Sequence, residues 1–394
     1  MSSMGATLRL TASSLRTPVA VICLLSFASA CAATGAGRTD PTPVPPAQNL
    51  EATIFFVGDA GSPDPDGEPV FTAVSADALE REDVRRVVLF LGDNIYPRGL
   101  PELDDDDRAE GERRLAAQIA ISEATGAEVI FVPGNHDWDF AGQGRREHLM
   151  RAEQFGRTVG AEGVSFLPAG SCPGPDAVDV GAHIRLILLD TQWWLFPDPV
   201  EEVPATCAQR SPEAVLAEMR RLMDTAGDRE VIIAGHHPLA TNGPHGGYFT
   251  WRQHVFPLTD KWSWAWIPLP ILGSIYPIAR RSGITDQDLS GGLNRRMREA
   301  FESVMRDYDP MLYVAGHEHS LQVLAGTAAR YHVVSGAGNY GHTTPVRAGT
   351  GTLFATEASG YVRLDVQADG VMRLGVVVVG ARGERTEVFS TLLE

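Results

Sequence analysis

Residues 87–96 read VVLFLGDNIY: five apolar residues, then a glycine that hands over to Asp93, Asn94, Ile95 and Tyr96. A short apolar run rich in β-branched side chains and bounded by Gly or charged residues reads as a buried strand. The same phrase recurs along the chain. Thr53–Val57 leads into Gly58-Asp59-Ala60-Gly61, and Glu128–Val132 into Gly134-Asn135-His136-Asp137. Val231–Ala234 leads into Gly235-His236-His237-Pro238, and Met311–Ala315 into Gly316-His317-Glu318-His319. Each loop opens near a glycine, which lets the backbone turn sharply and brings the next side chain close to its neighbours. In α/β folds the loops at the carboxyl ends of strands converge on one crevice, and ligands gather there. One such cluster would be an ordinary turn; five in succession predict a shared site.

Around this series the chain alternates. Arg185–Leu189 is a further strand, and Val74–Arg81, Glu110–Ala124, Pro212–Ala226 and Asn294–Arg306 carry helical spacing. The last part, with Tyr331–Val334, Gly360–Val366 and Val371–Val379, is strand-rich and without helices. Strands alternating with helices and then closing on strands predict an α/β fold, a layered sandwich around mixed sheets, in one domain over residues 51–394. The atoms that the five loops deliver are carboxylate, carboxamide and imidazole. Such a set holds divalent or ferric ions and leaves positions open for water.

On these residues the sequence resembles the calcineurin-like metallophosphoesterases, and among them the purple acid phosphatases of the small, tartrate-resistant type. Gly61 stands where the superfamily usually has the His of Asp-x-His, while Tyr96 follows Asp93 by three residues; His lost and Tyr gained marks the purple branch. The likeness continues through Ser320-Leu321-Gln322 and Ser335-Gly336-Ala337-Gly338-Asn339. It implies an α/β/β/α sandwich of mixed sheets and a centre of two metal ions, Fe(III) with Fe(II), Zn or Mn. One ion would be held by Asp59, Asp93, Tyr96 and His319, the other by Asp93, Asn135, His236 and His317, with Asp93 bridging. His136 and His245 match histidines that contact phosphate and serve as general acid. His237 is the second His of an H-x-P-like motif and is assigned a supporting role. The implied activity is hydrolysis of small phosphomonoesters by metal-activated hydroxide. A phosphodiesterase acting on nucleotides or on lipid or cell-wall phosphoesters is the alternative. A catalytically dead surface lipoprotein that binds an anion is the reading from outside the enzymes, and the complete ligand set argues against it. Two departures stand out: Ala60 replaces a common aromatic, and a long insertion, about 248–290, follows His245.

The ends and the charge bear on location. Arg9 and Arg16 precede a short apolar run, Pro18–Ala30, which fits a signal peptide over residues 1–30 and is too short to span a bilayer. Ala28-Ser29-Ala30-Cys31 resembles a lipobox, which implies acylation of Cys31; plain cleavage after Ala30 is the other reading. Residues 31–50 are small and Pro-rich, a tether. The chain is therefore expected in the bacterial periplasm or cell envelope as an anchored lipoprotein. Cys23 leaves with the signal. Cys172 and Cys207 then either pair in the oxidising periplasm or remain two unrelated thiols. A net charge of −17 argues against sequence-independent nucleic-acid binding, and none is expected.

Four other stretches stand out. Gly336–Gly341 fits G-x-G-x-x-G, but no helix follows it, so it is read as backing for the site rather than a dinucleotide loop. Asp104–Asp107 reads as a solvated loop or helix start, and Trp193-Trp194 as packing. Trp262–Ile278, WSWAWIPLPILGSIYPI, has no charge, and its prolines exclude a regular transmembrane helix. It is either an insertion packed beside the site or an interfacial, membrane-facing lid.

Overall fold

The computed structural model describes residues 44–139, 146–160, 162–199, 203–260, 262 and 264–394. The signal segment 1–30, Cys23, Cys31 and the tether up to residue 43 lie outside the described residues. Pro43–Glu394 forms one compact unit.

Fourteen strands are described: β1 (Leu50–Val57), β2 (Arg85–Leu91), β3 (Glu128–Val132), β4 (Val164–Phe166), β5 (Asp176–Val180), β6 (Ile184–Leu188), β7 (Glu230–Ala234), β8 (Leu312–Ala315), β9 (Leu321–Ala325), β10 (Tyr331–Ser335), β11 (Thr352–Thr356), β12 (Gly360–Gln367), β13 (Met372–Val379) and β14 (Arg385–Leu393). They build two seven-stranded mixed sheets, ordered β14-β13-β12-β1-β2-β3-β4 and β11-β9-β10-β8-β7-β6-β5. Alternate residues of both sheets, among them Ile54, Phe56, Leu89, Leu186, Ile232, Val314 and Leu364, form the buried layer between them. The opposite faces are covered by the helices α1 (Pro69–Leu79), α2 (Arg108–Thr125), α3 (Arg146–Thr158), α4 (Pro212–Asp224) and α7 (Gly292–Tyr308), while α5 (Trp251–Val255) and α6 (Pro270–Arg281) pack on each other. α1 and α2 pack on the first sheet through Val74, Leu115 and Ile119; α4 and α7 pack on the second through Met219, Phe301 and Val304. The result is the expected α/β/β/α sandwich.

Strands expected from apolar runs are all present, several lengthened by one to three residues. α1 begins earlier than expected because Glu68 caps it, its carboxylate accepting from the Val70 N–H, and Pro69 needs no donor in the first turn. Asp104–Asp107 stands exposed just ahead of α2, and Trp193 and Trp194 are buried, the latter against Phe301 with rings 4.9 Å apart. α3 was hidden by its polar sequence, β5 and β14 by their place at sheet edges, where one face is wet. Cys172 and Cys207 are joined in a disulfide, their Cα atoms 5.7 Å apart. Within Trp262–Ile278 the prolines do not prevent α6: Pro270 sits in its first turn, and Pro277 is carried inside. No helix among the described residues is long and apolar enough to cross a membrane.

Candidate metal centre

The five Gly-led loops leave β1, β2, β3, β7 and β8 at their carboxyl ends, and register places those ends together. Phe56 pairs with Leu89, Leu91 with Val132, and Ala234 with Val314. The two sheets are then pinned across the site, because the Gly58 N–H donates to the Ser335 carbonyl and the Gly338 N–H to the Gly58 carbonyl. The Gly336–Gly341 loop thus backs the site, and the Asn339 side-chain oxygen accepts from the Ser62 N–H at 2.8 Å.

Asp59, Asp93 and His317 all hold left-handed backbone conformations, with φ of 59°, 56° and 66°. Such conformations cost about 1–3 kcal/mol each and persist where surroundings impose them. Here the imposing bonds are visible: the Asp59 N–H donates to Gly92 carbonyl, and the His317 N–H to Asp59 Oδ2 at 2.7 Å. Gly61 is required by the same crowding. A Cβ there would fall 2.5 Å from the Asp93 carbonyl oxygen and 2.6 Å from the Ile95 nitrogen. No side chain therefore fits where the superfamily's His usually stands, and the Tyr96 N–H donates to the Gly61 carbonyl.

Two triangles of donor atoms result. Asp59 Oδ1, Tyr96 Oη and His319 Nε2 stand 3.3 Å from one another on all three sides. Asn135 Oδ1 lies 2.9 Å from His236 Nε2 and 3.0 Å from His317 Nδ1, and those two nitrogens are 3.1 Å apart. Asp93 stands between them, with Oδ1 3.3 Å from His236 Nε2. Donor atoms of Asp59, Asp93 and His236 lie within 4.8 Å of each other. Adjacent ligands of an octahedral ion with bonds of about 2.1 Å are separated by about 3 Å. The spacing in both triangles fits metal ions, and all seven expected side chains take part.

The rings are held by their other nitrogens, as ligating imidazoles usually are. His236 Nδ1 bonds the Leu91 carbonyl at 2.8 Å, and His317 Nε2 bonds the Gln287 carbonyl at 2.8 Å. His237 also lies near this group, but Thr191 occupies its Nδ1 and Gln287 Oε1 its Nε2. With both nitrogens used by the protein, His237 supports rather than ligates. Burial pushes the Asp59 carboxyl up to about 8, with Asp93 adding to the push, and drives His317 well below its ordinary value. Asp93, which burial would raise but His236 and His136 hold below its ordinary value, keeps the charge, and Asp59 beside it resists ionisation until a cation balances the pair.

At the rim His136 packs its ring 4.5 Å from that of Tyr96, beside the first triangle, and its N–H donates to Asp93 Oδ1. His245 lies beside the second, its ring 3.9 Å from that of His317.

Sequence reasoning missed the residues that hold these in place. Asp137 accepts from the N–H groups of Gly134, Asn94 and Ile95, tying the second loop to the third; burial pushes its carboxyl up to about 7. Glu318 accepts from the His245 N–H and from the Thr344 hydroxyl. Asp288 Oδ1 meets His245 Nδ1 at 2.9 Å, and Arg280 grips the same carboxylate. Burial alone would raise Asp288, but Arg280 and His245 hold it below its ordinary value. Exposed His342, 4.1 Å ring to ring from His319, completes the rim. Asp137 and Glu318 lay inside quoted motifs; Asp288 and Gln287 lay in the insertion and carried no sequence signal.

Comparison with known proteins gives a family and a fold. The calcineurin-like phosphoesterase family model matches residues 52–321. Among solved structures, "GAP50 the anchor in the inner membrane complex of Plasmodium" is similar at 12% identity and TM-score 0.54, over 87% of this chain and 89% of that one. The purple acid phosphatase PPD1 from yellow lupin seeds is similar at 14% identity and TM-score 0.52, over 86% of this chain and 53% of that one. PhoD is similar at 14% identity and TM-score 0.50, over 89% and 69%. At these identities the likeness is one of fold. No curated protein sequence matches.

Proposed function

The chain belongs to the calcineurin-like phosphoesterase family, a metal-dependent phosphoester hydrolase by membership, and from its site we propose an exported phosphomonoesterase of the purple type. The observation that carries the reading is the pair of donor triangles with Asp93 between them. When bound, two ions would supply Lewis acidity toward phosphoryl oxygens and a water that loses its proton near neutral or acidic pH. Asp59, Tyr96 and His319 would hold one ion, Asn135, His236 and His317 the other, and Asp93 both. The phenolate of Tyr96, which burial and the adjacent carboxylates disfavour in the free chain, favours a ferric ion as its partner.

The protein's own groups do the rest. His136 and His245 flank the two triangles and can hydrogen-bond a phosphoryl group or its leaving oxygen. His245 is the better placed as general acid, because Asp288 is the one of its two Nδ1 partners able to accept a ring N–H, which orients Nε2 outward. For export, Pro18–Ala30 and Cys31 support a lipid-anchored protein of the cell envelope. A phosphodiesterase remains the second reading on sequence grounds.

The test is direct. Purified protein should carry about two metal ions, and Asp93→Asn should lose both phosphatase activity and part of that metal. With ferric iron on Tyr96, a visible charge-transfer band appears and Tyr96→Phe removes it. A colourless active protein loaded with zinc or manganese would refute the purple assignment and leave the phosphoesterase one standing.

A further inference from the structure

The insertion after His245 turns one end toward the site and one face toward solvent. α5 and α6 pack as a close hairpin. A Cβ on Gly273 would fall 2.4 Å from the His254 carbonyl oxygen, and the Leu269 N–H donates to the Val255 carbonyl at 2.7 Å. The last turn of α6 belongs to the site: Arg280 holds Asp288, and through it His245, while Arg281 donates to the Gly247 carbonyl.

The remaining surface of α6 is bare. Ile271, Ile275 and Ile278 follow one another at i, i+4 and i+7, a single stripe, with Leu272 and Tyr276 beside it. Ile271 is 82% exposed and Leu272 62%, and on the segment that leads into the helix Trp264 is 77% exposed. A contiguous apolar patch of this kind on an otherwise acidic protein marks a docking surface.

Three features identify what covers it. Aliphatic side chains line the helix while Trp264 and Trp266 stand on the adjoining segment, the distribution of an element lying in the headgroup layer. α6 has 12 residues, enough to lie in an interface and too few to span a bilayer. Charge supplies the third: with Arg280 spent on Asp288, the sequence from Trp251 to Arg281 still carries Arg252, Lys261 and Arg281 against Asp260 alone, in a protein of net charge −17. A cationic island around an apolar patch complements anionic lipid. The segment that precedes the described residues, with its lipobox-like Ala28-Ser29-Ala30-Cys31, would tether the chain at the same surface.

We infer that the α5–α6 hairpin docks in the headgroup layer of an anionic bilayer, and that the substrates are phosphomonoesters of amphiphiles presented there. The docking half stands on the surface alone; the substrate half rests on the phosphomonoesterase reading. Docking also has a route to the chemistry, since the helix that would meet lipid ends in the arginine that fixes Asp288 against His245.

The experiment uses the full chain with vesicles of phosphatidylcholine and phosphatidic acid, and p-nitrophenyl phosphate as the soluble substrate. Brominated lipids should quench tryptophan fluorescence, and Trp264→Phe/Trp266→Phe should remove most of that quenching. Ile271→Asp/Ile275→Asp should lower turnover of vesicle-borne phosphatidic acid about tenfold or more, while p-nitrophenyl phosphate turnover holds. Equal losses on both substrates, or on neither, overturn the proposal. So does a wild-type dimer that Ile271→Asp/Ile275→Asp converts to monomer, which would make the patch a self-interface. If neither substrate is turned over but quenching behaves as stated, docking survives and the phosphomonoesterase reading is what fails.

Discussion

Asp288 shows how much a single carboxylate outside the metal motifs controls. It is buried, it meets His245 Nδ1 at 2.9 Å, and Arg280 keeps it ionised. Asp288→Asn keeps the shape and removes the charge that orients the ring. We expect kcat for p-nitrophenyl phosphate to fall by about 10–100-fold with KM little changed; Asp288→Glu should restore part of it. A matched rise in KM would instead mean a collapsed loop. His332 tests electrostatics far from the chemistry. It is buried on β10 beside Tyr313, Nδ1 has no hydrogen-bond partner, and burial pushes its pKa down from 6.5 to about 4. A histidine neutral when folded and protonated when unfolded contributes its full stability above pH 6.5, and loses it as pH falls toward 4. His332→Phe should therefore gain on wild type through that window, by up to about 3 kcal/mol near pH 4. Urea unfolding at pH 7 and pH 4.5 reads the difference, and a constant offset between the two would refute it.

At the level of elements, the disulfide joins the turn before β5 to the segment before α4, closing 35 residues of chain. Cys172→Ser/Cys207→Ser should cost about 4 kcal/mol in chemical unfolding, the order expected for a loop of this length. Legibility in the sequence also divides by element. β1, β2, β3, β7 and β8 could be read because they are buried on both faces, so each is an unbroken apolar run, and because each ends in the residues that carry chemistry. β5, β14 and α3 could not, since an edge strand or a surface helix leaves much of its length to polar side chains. The metal ligands were legible as a short, ordered code of Gly followed by a donor. Their supports were not: Gln287 and Asp288 act through a carbonyl and a carboxylate that a distant loop brings to His317 and His245, and no local spacing encodes that. The pairing of Cys172 with Cys207 was equally open until the loops were placed.

Across the whole molecule, the sandwich gathers donors from both sheets into one crevice: the first supplies Asp59, Asp93, Tyr96 and Asn135, the second His236, His317 and His319. The centre therefore exists only when the sheets are packed, and metal binding should report on global folding. The strand order makes this dependence sharper. β1, the first strand described, lies in the interior of its sheet, between β2 and β12, where Thr53 hydrogen-bonds Asp365 at 3.0 Å. A chain truncated after residue 358 lacks β12, β13 and β14 and leaves β1 with a bare edge. Such a fragment should fail to give a cooperative unfolding transition and should aggregate, whereas removal of Leu392–Glu394 alone should be tolerated. Turned toward biosynthesis, the same arrangement means that β12, β13 and β14, among the last residues to leave the ribosome, complete the sheet begun by the first strand. Partners more than 300 residues apart make early closure impossible and assembly slow. A nascent chain that cannot fold before it is finished stays threadable, which would suit the export proposed above, through a channel that takes up unfolded chains.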